Sequence, residues 1–155
     1  MKHSETAALL AVAAAFDNRK ITEDAVEAWQ RALHPDLNLA DGRQIIVDHY
    51  ADSTEWLKPA HINTAYRRMC RHRLETIGTD IRPPHQLDLI SEQAWFKEFR
   101  NAVAAGQTSA EAELAATRVI APELEPAVRQ QQLEPATPNK DNLRKLQAHL
   151  KELNK

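Results

Sequence analysis

Residues 59–78 read PAHINTAYRRMCRHRLETIG, and their spacing decides what kind of fold to expect. Pro59 suits the first position of a helix, where its missing N–H has no partner to lose. Ile62, Tyr66, Met69 and Arg73 then recur at steps of three and four along one face, which is the period of a helix and not of a strand. The aliphatic stem of Arg73 is able to cover apolar surface at the edge of that face. Arg67, Arg68, Arg71 and His72 point elsewhere, and Gly78 ends the segment.

The same period extends outward in both directions. Towards the N-terminus, Ser4 is a candidate cap for a helix striped by Leu9, Val12, Ala13 and Phe16, and Asp17-Asn18-Arg19-Lys20 breaks it. Thr22 caps a second helix with Glu23 and Asp24 against its dipole and Val26, Trp29 and Leu33 on its apolar side, and Pro35 limits its extent. Asp36 or Asn38 starts a third, with Leu39, Ile46 and Tyr50 on one side and Gly42 weakening it by about 1 kcal/mol.

Towards the C-terminus, Ile81-Arg82-Pro83-Pro84-His85 reads as a stiff extended connector. Ser91 is a candidate cap for a helix carrying Trp95, Phe96, Phe99 and Val103, closed by Gly106. Trp95 and Phe96 are neighbours that cannot both face the same way, so one of them is expected over a groove or against another chain. Thr108 and Glu111 have the spacing of a capping box for a helix reaching Ile120.

Residues 121–140 hold Pro122, Pro126, Pro135 and Pro138 with Gln130, Gln131 and Gln132, and read as a linker with room for a short helix. Leu143, Leu146, Leu150 and Leu153 then give a two-heptad seam on a polar helix. With no period-two segment, hairpin signal or internal repeat, the expected fold is all-α. It comprises a bundle of about four helices over 4–78, a connector over 79–90, a helical pair over 91–120, a linker over 121–140 and an amphipathic helix over 141–155.

The 155 residues carry a formal charge of -2, 43% hydrophobic and 5% aromatic residues, three Gly and one Cys. No apolar run approaches the roughly 20 residues that span a bilayer. No cluster of positive charge precedes the apolar stretch 7–16, so the expectation is a cytoplasmic protein, not a secreted or membrane one. The near-neutral total hides a division: residues 1–57 carry five Lys/Arg against ten Asp/Glu, and residues 58–82 carry six against two. A basic island therefore follows an acidic region, which suggests an acidic partner or pairing between the two.

Three isolated glycines, Gly42, Gly78 and Gly106, cannot build a phosphate-binding loop or a dinucleotide fingerprint, which excludes ATP-driven mechanisms and dehydrogenases. Cys70 and His72 lack the paired spacing of a zinc site, and Asp48 and His49 are helix neighbours that diverge without a third catalytic partner. No enzyme, cofactor or metal is expected.

The chemistry-bearing features are two. One is the basic helix, with Lys58, Arg67, Arg68, Arg71 and Arg73 as candidate contacts to an acidic partner or to nucleic acid, or to the acidic first three helices of the chain itself. The other is the tail, with Leu143, Leu146, Leu150 and Leu153 as candidate partner contacts, although packing back on the protein and self-association are also open to it.

One resemblance sharpens this. A small-residue helix ending in Ala14-Ala15-Phe16-Asp17, Ile21-Thr22 before a helix with Ala28-Trp29, then Asp48-His49-Tyr50-Ala51 and Lys58-Pro59-Ala60-His61-Ile62 before an Arg-rich helix occur in that order. Over residues 4–75 this resembles the helical N-terminal domain of phage helicase loaders, the loader-inhibitors found in prophages of actinobacteria and Bacillus. The pair 91–120 has no counterpart in that pattern.

The resemblance implies a DNA-replication accessory protein without an ATPase of its own. It implies binding to the hexameric replicative helicase, holding that enzyme inactive, and delivery to an origin-binding initiator, with a C-terminal segment contacting the helicase. A small nucleic-acid-binding regulator and a structural dimer formed through the tail are the alternatives.

Overall fold

The computed structural model describes residues 1–78, 81–84 and 87–133. Among the described residues there are seven α-helices and no strands: α1 (His3–Asp17), α2 (Glu23–Ala32), α3 (Leu39–Asp52), α4 (Pro59–Thr76), α5 (Leu89–Ala104), α6 (Ser109–Ile120) and α7 (Glu125–Leu133), with a 3-10 turn at Pro122–Leu124 before the last. The fold is all-α. The tail leucines Leu143, Leu146, Leu150 and Leu153 lie outside the described residues.

Side chains set most of the helix starts. Thr22 accepts from the Ala25 amide at 3.2 Å, Asn38 from that of Asp41 at 2.8 Å, and Thr108 from that of Glu111 at 3.3 Å while the Glu111 carboxylate takes the Thr108 amide at 2.9 Å. Two starts differ from the sequence expectation. α1 begins after Lys2, whose amide donates to Glu5 at 2.6 Å, so Ser4 lies inside the helix. α5 begins after Asp88, which accepts from the Ser91 amide at 2.8 Å, so Ser91 receives the cap and does not provide it. In both cases a carboxylate competes better than a hydroxyl for the orphan amides, because its charge also meets the positive helix end.

Helix ends follow the glycines less closely. α4 stops at Thr76 and Ile77 is extended, so Gly78 follows the end. α5 ends in a Schellman arrangement, with Gly106 at φ 98, its amide on Val103 at 2.9 Å and that of Gln107 on Ala102 at 3.1 Å.

Two apolar clusters form the interior. The first joins Leu9 and Ala13 of α1, Leu33 and Leu37 after α2, Ile45 and Ile46 of α3, Leu57, and Ile62 and Tyr66 of α4. The second joins Trp95, Phe99 and Val103 of α5 to Ala112 and Ala116 of α6, with Leu74 and Ile77 packed on it. α4 thus serves both clusters, the first through Ile62, Tyr66, Met69 and Cys70 and the second through Leu74 near its end.

Phe96, half-buried, packs against the second cluster with its ring edge-on to Trp95 at 5.4 Å, while Trp95 itself is buried within the cluster. The Trp95 indole N–H finds a partner inside the cluster, the Thr117 hydroxyl at 2.9 Å. The stretch read as a linker is helical in its described part. Pro122 opens the 3-10 turn and Pro126 lies in the first turn of α7, where a missing N–H costs little. α7 packs back on α6 through Glu125, which holds both Arg118 at 2.6 Å and Arg129 at 2.9 Å.

Candidate functional site

α4 carries the basic residues, and helix geometry separates them. Arg73 turns inward: its guanidinium makes two bonds to the Asp41 carboxylate of α3, at 2.7 and 2.8 Å, and one to the Ala104 carbonyl of α5 at 3.0 Å. The Asp41 charge beside it raises its affinity for its proton further. Arg73 is therefore committed within the chain, which corrects its place among the partner contacts. Lys58 is exposed at the N-terminus of α4, nine residues before Arg67 and so about 14 Å away along the axis. It does not join the arginine patch.

Arg67, Arg68 and Arg71 remain together on the outer side of α4. All three are exposed, and none has a hydrogen bond or ion pair among the described residues. They fan across a ridge between two grooves. Arg67 and Arg71 line one, of about 710 Å³, between α4, the end of α5 and the loop after α2. Arg68 and Arg71 line the other, of about 900 Å³, between α3 and α4.

The grooves differ in chemistry. The α3/α4 groove sets the two arginines beside Asp48, Asp52, Glu55 and Glu75, so carboxylates outnumber guanidinium groups along it. Two of its three histidines, His49 and His61, are structural in their contacts, and His72 is exposed. His49 donates through Nε2 to the Glu55 carbonyl at 2.8 Å and stacks on His61 at 5.3 Å, and His61 accepts the Lys58 amide on Nδ1 at 3.4 Å. His61 Nε2 lies 3.8 Å from the Glu55 carboxylate. Asp48 is held by Gln44 at 2.8 Å and diverges from His49.

The α4/α5 groove has Cys70, Leu74, Ala104 and Ala105 along it, with Asp36 as its acidic group. The Cys70 thiol donates to the Ala104 carbonyl at 3.4 Å. Tyr66 forms part of the wall, its hydroxyl donating to the Asp36 carbonyl at 2.9 Å, and burial pushes its phenol well above the usual value.

A second constellation was hidden in the tetrapeptide read as a helix breaker. Asn18 adopts a left-handed conformation at φ 54, which turns Arg19 back under the bundle. Arg19 there forks onto Asp17 through Nε at 2.9 and 3.0 Å and through Nη2, and also reaches the Leu57 carbonyl at 3.0 Å. Its guanidinium sits 4.8 Å from the Trp29 ring and 5.0 Å from that of Trp56. Tyr50 donates to the same Asp17 carboxylate and stacks on Phe16 at 4.9 Å. The Arg19 bonds hold the Asp17 carboxyl at about 2, against an opposing effect of burial.

With side chains 7% and 8% exposed, Arg19 and Asp17 are closed to ligand and tie the loop 53–58 to α1 and α2. In the sequence Arg19 stands ten residues before Trp29 and thirty-seven before Trp56, a spacing that no periodic pattern picks out.

Among the described residues no group of three or more His, Cys, Asp or Glu side chains is placed to hold a metal ion, and no helix is long and apolar enough to cross a membrane. No family model, curated protein or solved structure matches the chain.

Proposed function

We propose that the chain is a non-catalytic replication adaptor, active in the cytoplasm of a bacterial host, that binds the hexameric replicative helicase, holds it inactive and delivers it to an origin-binding initiator. One observation carries the reading: Arg67, Arg68 and Arg71 stay exposed and without a partner among the described residues, although the rest of the chain has acidic groups in excess. Arg73, two residues on, does use such a group. Cations left unpaired on a rigid helix are suited to an acidic surface on another molecule. The resemblance of residues 4–75 to the helicase loaders names that molecule. With no phosphate-binding loop in the sequence, the adaptor acts by preferring one helicase conformation, and differential affinity suffices for that.

A nucleic-acid-binding regulator is the second reading, because the same three arginines fit phosphates. Salt separates the two. Three phosphate contacts give a slope of log K against log salt of about -2.7, at about -0.9 per contact.

The test is binding of the full chain to purified bacterial replicative helicases and to duplex DNA, beside a variant with Arg67, Arg68 and Arg71 all changed to Glu. Helicase binding that the triple variant weakens by about tenfold or more is expected. Tight, steeply salt-dependent DNA binding without helicase binding establishes the regulator instead. A chain ending at Leu133 reads the share contributed by Leu143, Leu146, Leu150 and Leu153. Light scattering on the same pair tests the third reading, since equal monomer masses exclude dimerisation through the tail.

A further inference from the structure

The two grooves beside α4 share Arg71, but only one of them leaves its positive charge largely uncompensated. In the α3/α4 groove four carboxylates stand against Arg68 and Arg71. In the α4/α5 groove Arg67 and Arg71 face Asp36 alone among acidic residues. Arg67 and Arg71 are four residues apart and so lie on one side of the helix, one turn from each other. Cys70 and Leu74 continue the same stripe, both half-buried, and Ala104 and Ala105 of the facing helix end are too small to fill the space in front of them. The result is a groove of about 710 Å³ with an apolar floor, two guanidinium groups without a partner among the described residues along one lip, and the exposed Asn101 amide near the other.

We propose that this groove is the docking site for an acidic, amphipathic segment of the partner protein, seating an apolar side chain on Cys70, Leu74 and Ala104 and placing carboxylates on Arg67 and Arg71. The proposal rests on the adaptor reading and names the part of the partner that meets α4.

Charge complementarity selects this occupant. A neutral apolar segment would cover the arginine lip without supplying a counter-charge, which costs more than the floor returns. A phosphate backbone would meet the lip but would leave the apolar floor unfilled and bring further negative charge to Asp36. Neither ring lining the groove offers a free face for base stacking: Tyr66 is 3% exposed, and His34 packs on Tyr66 at 5.1 Å and accepts the Asp36 amide at 3.3 Å. A carboxylate-bearing segment satisfies both lip and floor, with Arg forks able to take carboxylates bidentately.

Cys70 is the one cysteine of the chain and lines the floor, so its alkylation by N-ethylmaleimide reports occupancy directly. The probes are a short amphipathic peptide of glutamate and leucine, the same peptide with glutamine for glutamate, and an oligothymidylate. Saturating acidic peptide is expected to slow alkylation of the full chain by about tenfold or more. Arg67→Glu is expected to weaken the peptide by about tenfold, and Asn101→Trp, which fills the groove from an exposed position, to abolish protection. Arg68→Glu, facing the other groove, leaves protection unchanged.

An unaltered alkylation rate, equal protection by the glutamine peptide or by oligothymidylate, or a loss in Arg68→Glu equal to that in Arg67→Glu overturns the proposal. An unchanged melting temperature of Asn101→Trp shows that the block is steric. The helicase experiment keeps the two readings apart. Capture that survives Arg67→Glu and Asn101→Trp but falls with Arg68→Glu ends the groove and keeps the adaptor. Protection of Cys70 by the peptide with no helicase capture ends the adaptor and keeps the groove.

Discussion

Arg19 shows how one side chain can hold three segments that share no local pattern. Its fork meets Asp17, its Nη2 reaches the Leu57 carbonyl, and its faces are covered by Trp29 and Trp56. Removing two charges from water costs several kcal/mol, and the bidentate geometry with both tryptophan faces offsets that cost. The pair therefore contributes little as a pair and a great deal when one member is lost. Asp17 also makes the fold acid-sensitive in a calculable direction. Its carboxyl titrates at about 2 in the native chain against 3.8 otherwise. A lowered native value means stability that is complete above about pH 4 and lost as the pH falls through 2, worth about 1–2 kcal/mol once nearby solvent is allowed for. Asp17→Asn is expected to cost about 3 kcal/mol at pH 7, because Arg19 keeps its charge in a closed site, and to flatten the acid limb between pH 4 and 2. Urea midpoints measured from pH 2 to 7 check both effects. An acid limb equally steep in the variant would place the sensitivity on another carboxylate.

At the scale of elements, the turn between α5 and α6 brings local and distant constraints to one residue. Gly106 is at φ 98, a conformation that L side chains rarely adopt, and a Cβ there would meet the Arg73 guanidinium at 3.1 Å. The far end of an arginine usually moves aside at little cost, but Asp41 and Ala104 pin this one. Gly106→Ala is expected to cost about 1–2 kcal/mol by thermal melting. In a double-mutant cycle with Arg73→Ala the coupling is expected to exceed about 0.5 kcal/mol, whereas strict additivity would leave backbone strain as the whole effect.

This turn also marks how far the sequence could be read. Thr22, Asn38, Pro59, Gly106 and the Thr108–Glu111 box act through neighbours within a turn of helix, and each was visible as a spacing. Ser4 and Ser91 have the spacing of caps, but a carboxylate nearby outcompetes the hydroxyl, a comparison that spacing alone does not make. The fates of Arg73 and Arg19 depend on Asp41, Trp56 and Leu57, more than thirty residues away in sequence. The division of Arg67, Arg68 and Arg71 between two grooves depends on which helices flank α4, and helical period alone does not specify that.

For the molecule as a whole, two modest clusters share one helix, and the question is whether they melt as one. α4 places Ile62 and Tyr66 in the first and Leu74 in the second, so its rigidity transmits order between them. Arg73 adds a polar tie at the junction by bonding α3 through Asp41 and α5 through Ala104. Neither cluster has the apolar area of a large core, so their mutual support decides cooperativity. Amides around Ile46 and around Phe99 are therefore expected to exchange with the same opening free energy in the native chain. In Arg73→Ala, Asp41 keeps its bond to Asn38 at 2.9 Å but loses its counter-charge in a site where its side chain is 11% exposed, a cost of about 2–3 kcal/mol. That loss falls on the seam and not inside either cluster, so amides of α5 and α6 are expected to open before those of α1 and α3. Hydrogen exchange followed residue by residue measures the separation. If both sets lose the same protection, the helix alone couples the clusters and the Arg73 tie is only one more stabilising contact. If they part, the α4/α5 groove sits on a seam whose stiffness a partner seated on Arg67 and Arg71 would increase.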